Sequence, residues 1–411
     1  MRTRLENIRT IYGIQKGPSL LKKGKDLGRV ETLYNAFIDI QDDLIIDYGP
    51  MDSQSGHADK TIDCSGKSVL PGWCDSHTHI IFATSRHGEY RMRIGGKSYE
   101  EIAAAGGGIL NSAKKLREMD EVELYDQAAL RVEELIKSGT VLLEIKSGYG
   151  LTPKSEITML KIARKLNENY PITIKSTFLG AHAIPQWYKQ NRAGYIDEIC
   201  NVMLPQIAKE NLADYCDVFC DKGFFTVEES RQILEKALSF GLRPKIHANE
   251  LAISGGVQLA CEMNALSCDH LEAMGQEEID VLLKHDTIPV VLPGTSFYLN
   301  IDYAPARKMI DQGLGVTIAS DYNPGSTPSG NMELLMSLAC IKMKLSPEEA
   351  FNAITINGAC ALEEEKAYGS IAKGKKGHLI ITKEIEDLAQ LSYFYGKSHV
   401  DKVLIGSKIY E

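Results

Sequence analysis

The stretch LPGWCDSHTHI, Leu70 to Ile80, sets His77 and His79 two positions apart behind an apolar run. In an extended strand, residues i and i+2 face the same side, so both imidazoles can address one point. Alone, such a pair suits either a metal clamp or two hydrogen-bonded polar residues where a strand meets water. His247 in RPKIHANE and Asp321 in GVTIASDYNPG end two further apolar runs. Three imidazole nitrogens and one carboxylate oxygen suit a borderline divalent ion such as Zn²⁺ or Fe²⁺, with an open position for water. Tyr149, His182, Glu250, His270 and Asn323 stand at similar places. Glu250, three residues past His247, can place a carboxylate beside that water as a proton shuttle, the less favoured alternative being a solvated loop acid. His270 suits either a packed, hydrogen-bonded histidine or a group that polarises a reacting carbonyl. Arg86 carries a planar fork that matches a carboxylate.

Eight apolar windows must position these residues: SVLPGWCDSH, TVLLEIKSGYG, TIKSTFLGAHA, YCDVFCDKGFF, RPKIHANE, ALSCDHLEA, TIPVVLPGT and GVTIASDYNPG. Amphipathic stretches such as DEVELYDQAALRVEELIKSG and VEESRQILEKALSFG lie between them, with acids early and glycine late, as helix signals require. Strand alternating with helix implies parallel pairing. Eight units over about 250 residues suit a (β/α)8 barrel, whose chemistry sits at the C-terminal ends of its strands. AAAGGGILNSA lacks the Gly-Lys-Ser/Thr ending of a phosphate loop and reads as a flexible loop. The two ends read differently. NAFIDIQDDLIIDYG suggests a hairpin turning at Gln41-Asp42-Asp43, and GSIAKGKKGHLIITK and VDKVLIGSKIYE add strands near the C-terminus. Residues 1–66 and 360–411 are therefore expected to form one small β domain, and residues 67–359 the barrel.

Lys plus Arg number 46 against 55 acids, and the net charge of -9 argues against nucleic acid or an anionic membrane as partner. The partner expected is a small molecule, and any anionic one must be held by local cations. Nine scattered cysteines form no C-x-x-C pair, which favours reduced thiols in a cytoplasm. The first residues lack the apolar stretch of a signal peptide, and no run reaches the ~18 apolar residues of a membrane span. A homodimer is expected.

The motifs together resemble the metal-dependent amidohydrolase superfamily, through PGWCDSHTH, the His247 strand, Ser320-Asp321 and GSIAKGKKGHLII. AAAGGGI, EIKSGYGL, GAHAIP, HANE and SDYNPGS narrow the resemblance to the imidazolonepropionase family. It implies a barrel beside a β-sandwich built from both termini. It implies one metal on His77, His79, His247 and Asp321, and substrate contacts from Arg86, Tyr149, His182, Glu250, Asn323, Gly325 and Ser326. The reaction implied is hydrolysis of the cyclic amide of 4-imidazolone-5-propanoate to N-formimidoyl-L-glutamate, in histidine degradation. Glu250 would shuttle protons, Asp321 or Glu250 would take the first one, and His270 or His182 would stabilise the oxyanion. Gly377-His378 replaces the usual small-acidic pair before the last apolar strand. Two other readings fit parts of the pattern: a purine or pyrimidine deaminase on the same scaffold, and a non-catalytic scaffold that has lost the metal. Lys222, near the end of the fourth strand window, is where some superfamily members carry a carbamylated lysine between two metals.

Overall fold

The computed structural model describes the chain except residues 19, 98–100 and 102–106. The N-terminal strands are β1 (Arg2–Ile14), β2 (Glu31–Gln41), β3 (Leu44–Pro50), β4 (Lys60–Asp63) and β5 (Lys67–Pro71). β2 and β3 pair antiparallel with Gln41 opposite Leu44. Asp42 and Asp43 between them take φ of 50° and 64°, the left-handed turn conformation that Asp tolerates. The barrel follows with β6 (Trp73–Asp75), β7 (Thr140–Lys146), β8 (Thr173–Ala181), β9 (Tyr215–Cys220), β10 (Arg243–Ala248), β11 (Ser267–His270), β12 (Ile288–Val291) and β13 (Thr317–Ile318). The C-terminal strands are β14 (His378–Glu384), β15 (Val400–Ile405) and β16 (Lys408–Tyr410).

Both chain ends share one largely antiparallel sheet, in the order β16-β15-β14-β5-β1-β2-β3 with β4 also on β1. Leu5, Ile8, Ile11, Ile38, Val69, Leu379 and Leu404 fill its core. Asp39 of β2 is fully buried there and receives both Arg2 and the fork of Arg4, which donates from Nε and Nη2 at 2.8 Å each.

The second sheet runs in strict sequence from β6 to β13, all parallel. The first and last strands meet beyond their regular parts. The Asp321 N–H donates to His77 O, the His79 N–H donates to Tyr322 O, and Asp75 Oδ1 accepts the Ser320 N–H. The barrel therefore closes through the residues that carry the histidine pair. The first window, read from sequence as one strand, divides instead at Gly72 into β5 of the terminal sheet and β6 of the barrel. A side chain at Gly72 would stand 2.4 Å from Val141 Cγ2, so only glycine lets the chain cross here.

The expected helices form at Glu121–Lys137, capped by Asp120, and at Val227–Ser239, with a capping box of Thr226 and Glu229. In the first, Leu124, Ala128, Val132 and Leu135 bury one face. AAAGGGILNSA is only partly a loop. Its residues 103–106 lie outside the described residues, while Ile109–Glu118 is a helix that begins after Gly108 at φ 85°.

Candidate active site

The strand ends open on a cavity of about 350 Å³. His79, His182, His247, His270, Asp321, Glu250, Tyr149, Arg86, Asn323, Gly325 and Ser326 all line it. His77 is buried just below, its ring centroid 4.5 Å from that of His247. Every site residue expected from the sequence is thus brought to one place.

His77, His79 and His247 carry nitrogens that all lie within 4.8 Å of one another, as do His77, His270 and Asp321 with their ligand atoms. The His77 Nδ1–H faces Asp269 Oδ2 at 2.6 Å, which leaves Nε2 as the lone-pair nitrogen. His79 Nε2 lies 3.3 Å from His77 Nε2, and Asp321 Oδ1 lies 3.6 Å from both. Two ligands of one tetrahedral ion, each at about 2.1 Å, stand roughly 3.4 Å apart. Burial and the neighbouring cations hold His77 and His79 well below the usual imidazole pKa, so both are neutral. Neither ring nitrogen of the buried His247 makes a hydrogen bond, although Nδ1 lies 3.0 Å from Asp217 Oδ2. These donors fit a divalent metal ion.

Asp321 is aimed by its neighbours. Its φ of 52° is a left-handed, strained value, and Ser326 Oγ and Thr295 Oγ1 donate to its Oδ2 at 2.8 and 2.7 Å. Oδ1 is left toward the histidines. Asn323 accepts the N–H groups of Gly325 and Ser326 at 2.7 and 2.9 Å and donates to Asp321 O at 2.8 Å, so it shapes the loop it belongs to. Arg86 Nε donates to Ser112 Oγ at 2.8 Å, and its guanidinium lies 5.7 Å from the Tyr149 ring centroid. Its Nη2 is buried without a partner. A Cβ on Gly325 would stand 2.4 Å from Arg86 Nη1, so a side chain there would displace the guanidinium.

Burial raises the Glu250 carboxyl pKa to about 7, against the pull of His270. His270 sits with Nε2 3.7 Å from Glu250 Oε2 and Nδ1 3.5 Å from Glu272 Oε2. Burial disfavours its charge, but the two carboxylates outweigh that and raise it to about 10. Its φ of 85° marks another strained backbone position. Burial, with His247 nearby, lowers His182 to about 3. His182 Nδ1 lies 3.0 Å from Gly148 O, and a carbonyl can only accept, so Nδ1 carries the proton and Nε2 is an acceptor.

Lys222 does not enter the site. It is exposed in the turn after β9, and that strand presents Phe219, 5.7 Å from the His247 ring. Its position therefore removes it as a bridge between metals. Sequence reading also missed Glu272, and the buried ions Glu144, Lys146, Asp217, Lys245 and Asp269 below the histidines. The available signal was charge inside apolar windows, as in TVLLEIK and YCDVFC.

A barrel of this topology with a histidine–carboxylate cluster at its mouth defines a metal-dependent hydrolase. Solved structures share the fold at low identity. A triazine hydrolase variant superposes with a TM-score of 0.77 at 13% identity, covering 99% of this chain and 94% of that one. Escherichia coli guanine deaminase gives 0.76 at 12%, covering 100% and 99%. The family model described as "Amidohydrolase family" matches residues 68–410. The imidazolonepropionase of Flavobacterium johnsoniae is 52% identical over 410 residues, 100% of both chains. That of Geobacillus thermodenitrificans is 41% identical, over 99% of this chain and 96% of the relative. The chain belongs to the amidohydrolase family and, within it, to the imidazolonepropionase family.

Proposed function

We propose that this hydrolase opens the ring amide of 4-imidazolone-5-propanoate, giving N-formimidoyl-L-glutamate in histidine degradation. One observation carries the reading beyond the family. The cavity that holds the metal-type cluster also holds the Arg86 guanidinium, which no carboxylate pairs among the described residues. A ligand with a carboxylate at one end and a hydrolysable carbonyl at the other would meet both.

In this reading His77, His79, His247 and Asp321 hold one Zn²⁺ or Fe²⁺, which when bound supplies Lewis acidity at the carbonyl and lowers the pKa of water. Glu250, poised near neutrality, accepts the proton of the attacking water and returns it to the ring nitrogen as the C–N bond breaks. Asp321 is the less suited to that first proton, because its second oxygen already accepts two hydrogen bonds. His270, charged and a donor, stabilises the developing oxyanion. His182 is neutral and an acceptor at Nε2, so it takes a ring N–H instead. Arg86 holds the propanoate, and Tyr149 with the loop of Asn323, Gly325 and Ser326 shapes the ring pocket.

The proposal keeps the division into a terminal β domain and a barrel but moves the first boundary from residue 67 to Gly72, because β5 (Lys67–Pro71) pairs with β1 and β14 in the terminal sheet. It extends to a homodimer and to a cytoplasmic location, and the nine free cysteines support only the second, as reduced thiols. Light scattering and cell fractionation check those two points. No helix among the described residues is long and apolar enough to cross a membrane. The function is tested by incubating purified protein with the imidazolone acid and with guanine, adenine and cytosine. Ring opening of the acid without ammonia release from the bases is expected. Ammonia from a base with the acid untouched would establish the deaminase reading instead.

A further inference from the structure

Barrel interiors of this kind are usually filled by layers of apolar side chains. Beneath the histidines, this chain places an ionic layer instead. Glu144 and Lys146 of β7, Asp217 of β9, Lys245 of β10 and Asp269 of β11 all have 0% exposure. Buried charges are tolerated only when paired, and well-packed apolar replacements are often no less stable. What the layer touches is therefore the guide to why it is there.

Lys146 Nζ donates to Glu144 Oε1 at 2.9 Å and to Asp217 Oδ2 at 2.8 Å, and it lies 3.5 Å from Asp269 Oδ2. The two aspartate oxygens are the same atoms that face the proposed ligands. Asp217 Oδ2 is 3.0 Å from His247 Nδ1, and Asp269 Oδ2 is 2.6 Å from His77 Nδ1. One ammonium thus joins two carboxylates, on the strands either side of β10, that each face the Nδ1 of a proposed ligand imidazole. Lys245 is the built-in contrast. Its Nζ donates to Ser76 O and Glu144 Oε2 and pairs with neither aspartate.

We infer that Lys146 is a positioning residue for the metal seat. It fixes Asp217 and Asp269 so that His247 and His77 keep Nδ1 turned inward and Nε2 free for the ion. Carboxylates behind ligand imidazoles set both tautomer and ring orientation, and their loss typically weakens metal binding 10- to 100-fold. The role rests on reading His77, His79, His247 and Asp321 as the seat.

The test titrates metal-depleted full-length protein with Co²⁺ against a chelating dye, and records the visible spectrum of bound Co²⁺. Lys146→Met should bind about 10- to 100-fold more weakly than wild type, with an altered spectrum. Lys245→Met removes the same charge from the same layer and should stay within about threefold, with an unchanged spectrum. Lys146→Gln keeps N–H donors without the charge and should fall between wild type and Lys146→Met. If Lys146→Met does not fold, the glutamine variant alone decides: a loss of at least about fivefold sustains the role, and less overturns it. Equal losses in the Lys146 and Lys245 variants, or undiminished binding in Lys146→Met, would overturn it too. A wild-type chain that takes up no Co²⁺ would instead overturn the seat, and this role with it.

Discussion

Glu250 and Arg86 divide the work of the cavity, and each gives a separable expectation. Glu250→Gln cannot ionise, so turnover should fall by about 10²–10⁴ while metal content holds, measured by steady-state kinetics and metal analysis of one sample. The sign with pH follows from the raised pKa of about 7: a base must be ionised, so wild-type kcat/KM should decline as pH drops through that region. The glutamine variant should lack that limb. Arg86→Ala should lose about 10- to 100-fold in kcat/KM for the acid and little for an imidazolone without the carboxylate. Gly325→Ala reaches the same function indirectly, since the new Cβ would stand 2.4 Å from the mobile end of Arg86. It should fold, keep its metal and show a raised KM for the acid. An unchanged KM would mean that the guanidinium does not bind the carboxylate. At this scale the histidine pair was legible because the alternation of a strand makes i and i+2 neighbours. The aim of Arg86 was not legible, because Ser112 and Gly325 that direct it are distant in sequence.

The eight strands and the long helices were legible as elements, since apolar windows and capping residues are local signals. The split of the first window at Gly72 was hidden, because what forbids a side chain there is Val141, nearly seventy positions away. The ionic layer was hidden for a different reason. Glu144 and Lys146 alternate in TVLLEIK just as a solvent-facing set would, and a single strand does not show that its second face looks into a barrel. Lys222 stayed open as an alternative in the sequence, because spacing alone does not show that the residue the fourth strand turns inward is Phe219. In the terminal sheet the Asp39 pair gives an expectation about stability. Burial raises the Asp39 pKa, but the hydrogen bonds and charges of Arg4 and Arg2 outweigh it and lower it below 3.8. A depressed carboxylate contributes stability that is present above its unfolded pKa and is lost as pH falls through the folded value. Asp39→Asn removes the negative charge that pairs Arg4 and Arg2 and should cost about 3–5 kcal/mol in urea unfolding at pH 7. That difference should shrink as both proteins are taken below pH 3.8. A difference that persisted in acid would assign the loss to packing.

For the whole molecule, the two sheets share the work unequally. The barrel carries every residue proposed for chemistry, while the chain ends form a sheet that includes β5, the strand leading into the barrel. The net charge of -9 gives no long-range attraction for an anionic substrate, so capture depends on local cations such as Arg86. Raising salt should therefore change kcat/KM for the acid less than Arg86→Ala does, as measured across 0.05 to about 0.5 M salt. In the proposed mechanism one divalent ion at His77, His79, His247 and Asp321 drives ring hydrolysis. The most direct measurement strips the protein of metal, restores Zn²⁺ or Fe²⁺ stepwise, and follows ring opening against bound ions per chain. Activity should be absent in the stripped protein and reach its full value at one ion per chain. Full activity without metal, or a linear rise to two ions per chain, would contradict the account.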